Sequence, residues 1–420
     1  MERVSKNKTD IIFDIGLFFV PFENFFFAPS AGWAAISPII FFVYLMVNIK
    51  YMGFIIKKYK NILILIALGI MISLINFLSI GFSLSNFINS LISLMLGLTS
   101  LFSLTIYYEK NKDNPNTMNK IIKILFISYL ITMFVGVLQY ITIKGNIGFL
   151  YKFFNSIFKR NSYLNYHRIQ FFFTEPSFIG MHLYGILLPL FLYTKSKKII
   201  KLIIFYALLA IAFSSGVRII LDSSIIAIMF IFGYLFKKKK YFIIFLLPIV
   251  LLFSFNYFYN NNIRVKHIVD NGIYADGSLA SRYFRINASI HGYIKNPFRF
   301  ITGYGIGNSI YPIKEGYAIA FSNYKSSFLK EIYELGDPNY NDESASYCLY
   351  TRIISEYGFI YFIIIILYLI KITQKSIFDM KWYYLFTILY IYLQFESYAF
   401  YALWIFIFIM IYSKKKEELL

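Results

Sequence analysis

An arginine, a glutamate and a proline stand close together in a pattern that could hold an anion and move a proton. In the stretch HRIQFFFTEPSFIGMH, His167 to His182, Arg168 and Glu175 lie where a polar, basic segment meets an apolar run of membrane-spanning length. Pro176 follows at once, and Pro is favoured at the first helical position because its missing N–H would be unpaired there anyway. A helix opening at Pro176 would point the N–H groups of Ser177, Phe178 and Ile179 out of the apolar layer. With the helix dipole, that end favours an anion. Arg168 would add a full positive charge, and Glu175 a carboxylate for proton transfer. His167, Ser177 and His182 are candidate substrate-binding groups beside them. The plain alternative is a helix start with an ordinary Arg–Glu ion pair.

Other charges stand where charges are costly. Arg218 follows a Gly at the edge of an apolar run, and Asp222 lies one helical turn further in. Ionisable groups at such depth face a cavity or a partner. Arg218 therefore either lines a polar cavity or simply pairs with Asp222 at i,i+4. Arg352 and Glu356 have the same spacing, whereas Glu396 has no partner in sequence. Further along, Asp276 or Ser278 can cap a helix over about 279–295, which Asn296-Pro297 would stop. Arg282, Arg285 and Ser289 share one face of it. Two guanidiniums so placed suit a diphosphate, because Arg makes forked contacts with phosphate oxygens; a helix lying on anionic lipid head groups would look the same.

Several motifs carry little. GYGIGN (Gly303 to Asn308) lacks the strand before and the helix after that a dinucleotide fingerprint needs, so it reads as a tight turn or, less readily, as a flexible backbone that approaches a ligand closely. DPNYNDE (Asp337 to Glu343) lacks the glycine of a calcium loop, and Cys348 stands where its bidentate glutamate belongs. Glu343 is a second candidate base after Glu175, and Tyr347 a candidate substrate contact. The four histidines show no zinc-like spacing, and no metal or other cofactor is expected. Cys348 is the only cysteine, so no disulfide forms within the chain.

The elements that must position these groups are membrane helices. Of 420 residues, 59% are hydrophobic and only 15% charged, against roughly 45–50% and about 25% in soluble domains. The pattern is all-α and polytopic, with about twelve spans of the ~20 residues that cross a bilayer. They are expected near 11–27 (interrupted by Pro21 and Glu23), 32–49, 62–82, 86–107, 121–143, 176–194, 199–213, 219–236, 241–258, 346–370 and twice within 382–412. Segments 144–175 and 259–345 are the long loops. The charge of +20 is spread among membrane-flanking loops, which argues for topology rather than nucleic acid. Every short loop on one side is basic, and three short turns on the other have no Lys or Arg, so both termini are expected inside and both long loops outside. No cleavable signal peptide, internal repeat or separable soluble domain is evident.

With these features in this order, the chain resembles the O-antigen polymerase (Wzy) and O-antigen ligase superfamily of polytopic glycosyltransferases. The resemblance rests on Arg168 before TEPSF, Arg218 after a Ser-Gly turn, the run GSLASRYFRINASIHGYIKNPFRFITGYGIGN, and ISEYGFIYF. It covers most of the chain. TEPSF looks more like the polymerase branch, and Ser346 and Tyr347 occupy the positions where the ligase branch usually has a histidine. The resemblance implies a GT-C-like fold in a bacterial plasma membrane, with the site facing the periplasm. It also implies a metal-independent, inverting transfer of an oligosaccharide from undecaprenyl diphosphate to a sugar hydroxyl of a second lipid-linked repeat unit. Arg168, Arg218 and Arg282 would stabilise the departing diphosphate, with Arg285 in support, and Glu175 would take the hydroxyl proton. Membrane lipid and a chain-length regulator protein would be further partners. The alternatives are ligase transfer to an acceptor such as lipid A core, or a lipid-linked oligosaccharide flippase.

Overall fold

The computed structural model describes residues 9–26, 35–80, 83–114, 116–160, 164, 167–213, 217–237, 256, 259–260, 263–324, 329–340 and 345–413. Among these the protein is all-α, with one isolated bridge between Phe25 and Phe158. In chain order the helices are α1 (Asp10–Phe18), α2 (Ser37–Val47), α3 (Met52–Lys58), α4 (Lys60–Ile80), α5 (Leu84–Lys110), α6 (Thr117–Gly145) and α7 (Gly148–Ile157). Then come α8 (Phe178–Thr194), α9 (Lys197–Ala212), α10 (Val217–Lys237) and α11 (Ile263–Asn271). The chain continues with α12 (Gly277–Lys295), α13 (Pro297–Thr302), α14 (Tyr311–Ser322) and α15 (Lys330–Leu335), and closes with α16 (Leu349–Tyr357), α17 (Phe359–Lys375), α18 (Lys381–Tyr392) and α19 (Tyr401–Tyr412).

Three of these, α4, α5 and α6, are long and apolar enough to cross a membrane, and α2 with Ile49–Lys58 makes a fourth if the pair, bent by 79°, is one broken span. Their polarity is that of helices in lipid. On α4 the exposed residues from Ile64 to Leu78 are apolar, with Leu78 90% and Ile75 63% exposed, while the buried positions include Gly69, Ser73 and Asn76. On α5 the buried face carries Ser90, Ser93, Gly97, Ser100 and Ser103. Small residues there let helices approach closely where no hydrophobic effect drives them together.

Breaks fall where the local chemistry demands them. The first apolar run stops being helical at Phe18, and Pro21 and Glu23 lie in the turn beyond. α8 contains a π-turn at Leu183–Leu187, just ahead of Pro189. Pro has no N–H for the i→i−4 bond, and such widened turns re-route the ladder. The expected span 346–370 is two helices, α16 and α17, parted at Gly358 with φ +89°. Most of the expected span 241–258 lies outside the described residues.

The long segment after α11 folds into its own helical layer. Asp276 caps α12 by accepting from the Leu279 N–H at 3.0 Å, and Asn296-Pro297 ends it and opens α13. α12 and α14 pack backbone to backbone: a Cβ on Gly292 would lie 2.1 Å from the Pro312 carbonyl oxygen, and one on Gly316 2.0 Å from that of Ala288. Phe284, Ile313, Ile332 and Leu335 form the core of this layer.

GYGIGN is the latch between this layer and the bundle. Gly303, Gly305 and Gly307 all have left-handed φ. The Tyr304 and Gly305 N–H groups donate to the carbonyls of Ser355 and Glu356, at 2.7 and 2.8 Å. The Gly307 N–H donates to the Glu356 carboxylate at 3.1 Å. On the other side the Ile306 N–H meets Ser73 Oγ at 3.1 Å.

Candidate functional site

The TEPS turn is held from below by a buried cluster. Glu23 and His182 are fully buried and joined by a hydrogen bond in which the carboxylate accepts from Nε2. His182 Nδ1 meets the Tyr129 hydroxyl at 2.8 Å. The second Glu23 oxygen accepts from the Thr174 N–H at 3.2 Å, so the carboxylate ties the turn after α1 to the backbone just before Glu175. His182, expected as a substrate contact, is therefore a support inside the bundle with both ring nitrogens engaged.

Above it, Glu175 Oε1 pairs with Arg160 Nη1 at 2.8 Å, and Ser177 Oγ donates to Oε2 at 3.0 Å. The Arg–Glu pair of the sequence reading is present, but Arg160 supplies the guanidinium. Arg168 is half-buried, and His167, with φ +55°, is exposed. The helix begins at Phe178 rather than Pro176. The Phe178 N–H donates to the Glu175 carbonyl at 3.0 Å and the Ile179 N–H to that of Pro176 at 3.4 Å. Two of the three N–H groups expected to point outward are thus taken up in a closed turn.

Arg218 begins α10 beside this turn. Its Nη2 donates to the Gln394 carbonyl at 3.3 Å, while Nε is buried without a hydrogen-bond partner. Asp222 is 4.0 Å from that Nε, too far for a hydrogen bond. Its Oδ1 is taken up by the Tyr390 hydroxyl at 2.6 Å and Gln394 Nε2 at 3.0 Å. Gly180 of α8 makes room for the other oxygen, since a Cβ there would lie 2.3 Å from Oδ2. Arg218 and Asp222 thus form the i,i+4 ion pair, at a separation too long for a hydrogen bond. Arg218 also lies near enough to Arg282 and Glu175 to feel their charges, and Asp222 near enough to feel Arg282. Three groups far apart in sequence are therefore electrostatic neighbours.

On α12 the two arginines divide. Arg285 is buried, its Nη1 donates to the Ala345 carbonyl at 3.0 Å, and its guanidinium sits 4.5 Å from the Tyr347 ring centre. Arg282, only half-buried, stands 5.6 Å from the same ring. The Tyr347 hydroxyl and Ser281 Oγ both donate to Glu331 Oε2 at 2.9 Å. Arg285 thus braces Tyr347 and the loop, and Arg282 is the more exposed of the two. Ser289 bonds back to the Arg285 carbonyl at 2.9 Å.

Arg352 and Glu356 do pair, at 3.1 Å and fully enclosed. Arg352 Nη2 also donates to Ser90 Oγ at 2.7 Å, and the Tyr398 hydroxyl donates to Glu356 at 2.7 Å. Arg352 Nη1 reaches the Glu396 carbonyl at 3.4 Å. Glu343 lies outside the described residues. Asp337 forms a local turn, its carboxylate accepting from the Asn339 N–H at 2.8 Å. Among the described residues no three His, Cys, Asp or Glu come together as a metal site.

Sequence reasoning passed over Arg160, Gln394 and Tyr390, which carry no motif. Glu23 is different, because a carboxylate inside an apolar run is itself a signal of a buried partner. Compared with protein families, with curated proteins and with solved structures, the chain matches none.

Proposed function

We propose that the protein is a polysaccharide polymerase of the bacterial plasma membrane, joining undecaprenyl-diphosphate-linked repeat units at the outer face. In this reading it is a GT-C-like protein of about twelve spans, with both termini in the cytoplasm and the loop layer in the periplasm. What supports it is Arg218, whose buried Nε has no hydrogen-bond partner and which is close enough to Arg282 and Glu175 for their charges to interact. Inverting displacement at the anomeric carbon leaves growing negative charge on the diphosphate. Fixed cations stabilise that charge more in the transition state than in the ground state. Arg218, with a buried Nε still able to donate, and the half-buried Arg282 fill this role, and the resemblance adds Arg168.

Glu175 takes the acceptor hydroxyl proton in this reading. It must first let go of Arg160, whose side chain is 52% exposed. An exposed pair of this kind contributes about 0–1 kcal/mol, so its opening is a small fraction of a catalytic barrier. Deleting the gene separates the polymerase from a ligase. Single-repeat caps on the anchor mean a lost polymerase, and long lipid-linked polymer with none transferred means a lost ligase.

A further inference from the structure

α12 presents only apolar and aromatic side chains on its open side. Between Leu279 and Ile294 its exposed residues are Leu279, Tyr283, Ile286, Ile290 and Ile294. Spacings of three and four set them in one stripe along the helix, roughly 22 Å long at the helical rise. The stripe continues past Asn296 into Phe298 and Ile301 of α13, both exposed. On the opposite side of α12, Ala288 and Gly292 meet the backbone of α14. Among the described residues, the layer therefore covers one face of α12 and leaves the apolar one open.

An apolar row of this length marks a contact with protein or with membrane. Three features favour lipid. First, α13, which carries the end of the stripe, is pinned to the end of α4. Arg299 Nη1 donates to Asn76 Oδ1 at 2.9 Å and Nη2 to Ser79 Oγ at 2.8 Å, while Asn76 Nδ2 donates to the Thr302 carbonyl at 2.9 Å. Leu78 lies between those two α4 residues, so the stripe runs into the apolar outer surface of a helix long enough to cross a membrane. Second, exposure rises in the same direction, from 37% at Leu279 to 67% at Ile294. Third, the charged residues of α12 and α13 are all basic: Arg282, Arg285, Lys295 and Arg299. A helix with an apolar face and cationic polar residues lies in the plane of a bilayer surface, its apolar side about 5–10 Å deep.

We infer that α12 and α13 lie on the bilayer as surface helices, with the stripe among the acyl chains, so that the loop layer rests on lipid. Arg282 neighbours Leu279 and Ile286 on the helix surface, at i−3 and i+4. That depth holds its guanidinium at the level of the lipid head groups. The contact holds for any reaction the site performs.

Spin labels placed singly at Ile286→Cys, Ile290→Cys and Ile294→Cys, in a Cys348→Ser background, test this in the full chain. All three positions are exposed, so a label there displaces no core side chain. The protein is reconstituted in vesicles of phosphatidylcholine and phosphatidylglycerol. Leu78→Cys is the lipid-facing reference and the exposed Lys330→Cys the aqueous one. What is read is relaxation by oxygen, which partitions into lipid, relative to relaxation by a water-soluble nickel chelate. At all three stripe positions this ratio is expected to match Leu78→Cys and to exceed Lys330→Cys severalfold. A ratio like that of Lys330→Cys overturns the inference, because the stripe then faces water. Low access to both reagents overturns it too. With dipolar broadening between labels, a second copy covers the stripe; without it, another part of the same chain does.

Discussion

Besides its bond from Ser177, Glu175 is held by Arg160 from the side and by the Glu23–Thr174 bond from beneath. The two contacts have different consequences. Arg160→Ala removes an exposed partner and is expected to leave stability within about 1 kcal/mol of wild type. Chain extension should persist in that variant, while Glu175→Gln abolishes it with normal membrane insertion. Glu23→Gln or His182→Phe takes one member from a fully enclosed hydrogen-bonded pair, and leaving a buried polar partner unsatisfied costs about 1–3 kcal/mol. A marked drop in the thermal unfolding midpoint in detergent checks this, and an unchanged midpoint removes the supporting role given to the cluster. The sequence disclosed these residues unevenly. Arg352 and Glu356 could be paired on paper because four residues on a helix fix their geometry. Glu175 and Arg160 are joined through a loop, and Glu23 and His182 across 159 positions, so only the fold brings either pair together.

At the scale of elements, α12 was legible because its signals are local: a cap at Asp276, one-sided periodicity and a proline stop. Its partner α14 was not, since the match between Gly292 and Gly316 depends on where the chain returns. Gly316→Leu should force α12 and α14 apart, because the backbone of Ala288 occupies the space its Cβ needs. Faster hydrogen exchange over 277–322, with exchange in α5 and α6 unchanged, is the expected result. The latch makes a second demand on geometry. Gly307, with φ +81°, would place a Cβ 2.6 Å from the backbone of Asn86, so Gly307→Val should unseat the loop layer from the bundle. Breaks within helices were also hard to read. The Gly358 break follows from a left-handed φ that composition alone does not reveal, whereas the end of α1 near Pro21 and Glu23 was foreshadowed.

For the whole molecule, composition was enough to indicate a helical membrane protein, because a chain this apolar has few other ways to satisfy its backbone. The placement of the loop layer on the outer face is a separate claim and has its own test. Cys348 is buried, so single cysteines in a Cys348→Ser background can be probed with an impermeant maleimide. Lys330→Cys should label in intact cells, and Lys197→Cys only after permeabilisation. The reverse pattern inverts the topology and moves the arginines to the wrong side for a lipid-linked donor.

The most direct measurement is chain extension by purified Arg218→Ala and Arg282→Ala in vesicles containing undecaprenyl-diphosphate-linked repeat units. If the two guanidiniums share one departing diphosphate, each substitution should lower turnover by about 10²–10³-fold, the usual loss for one preorganised charge contact. The double variant should fall short of the product of the two losses, because residues acting on one group are not additive. Near-wild-type turnover in both single variants would contradict a shared site.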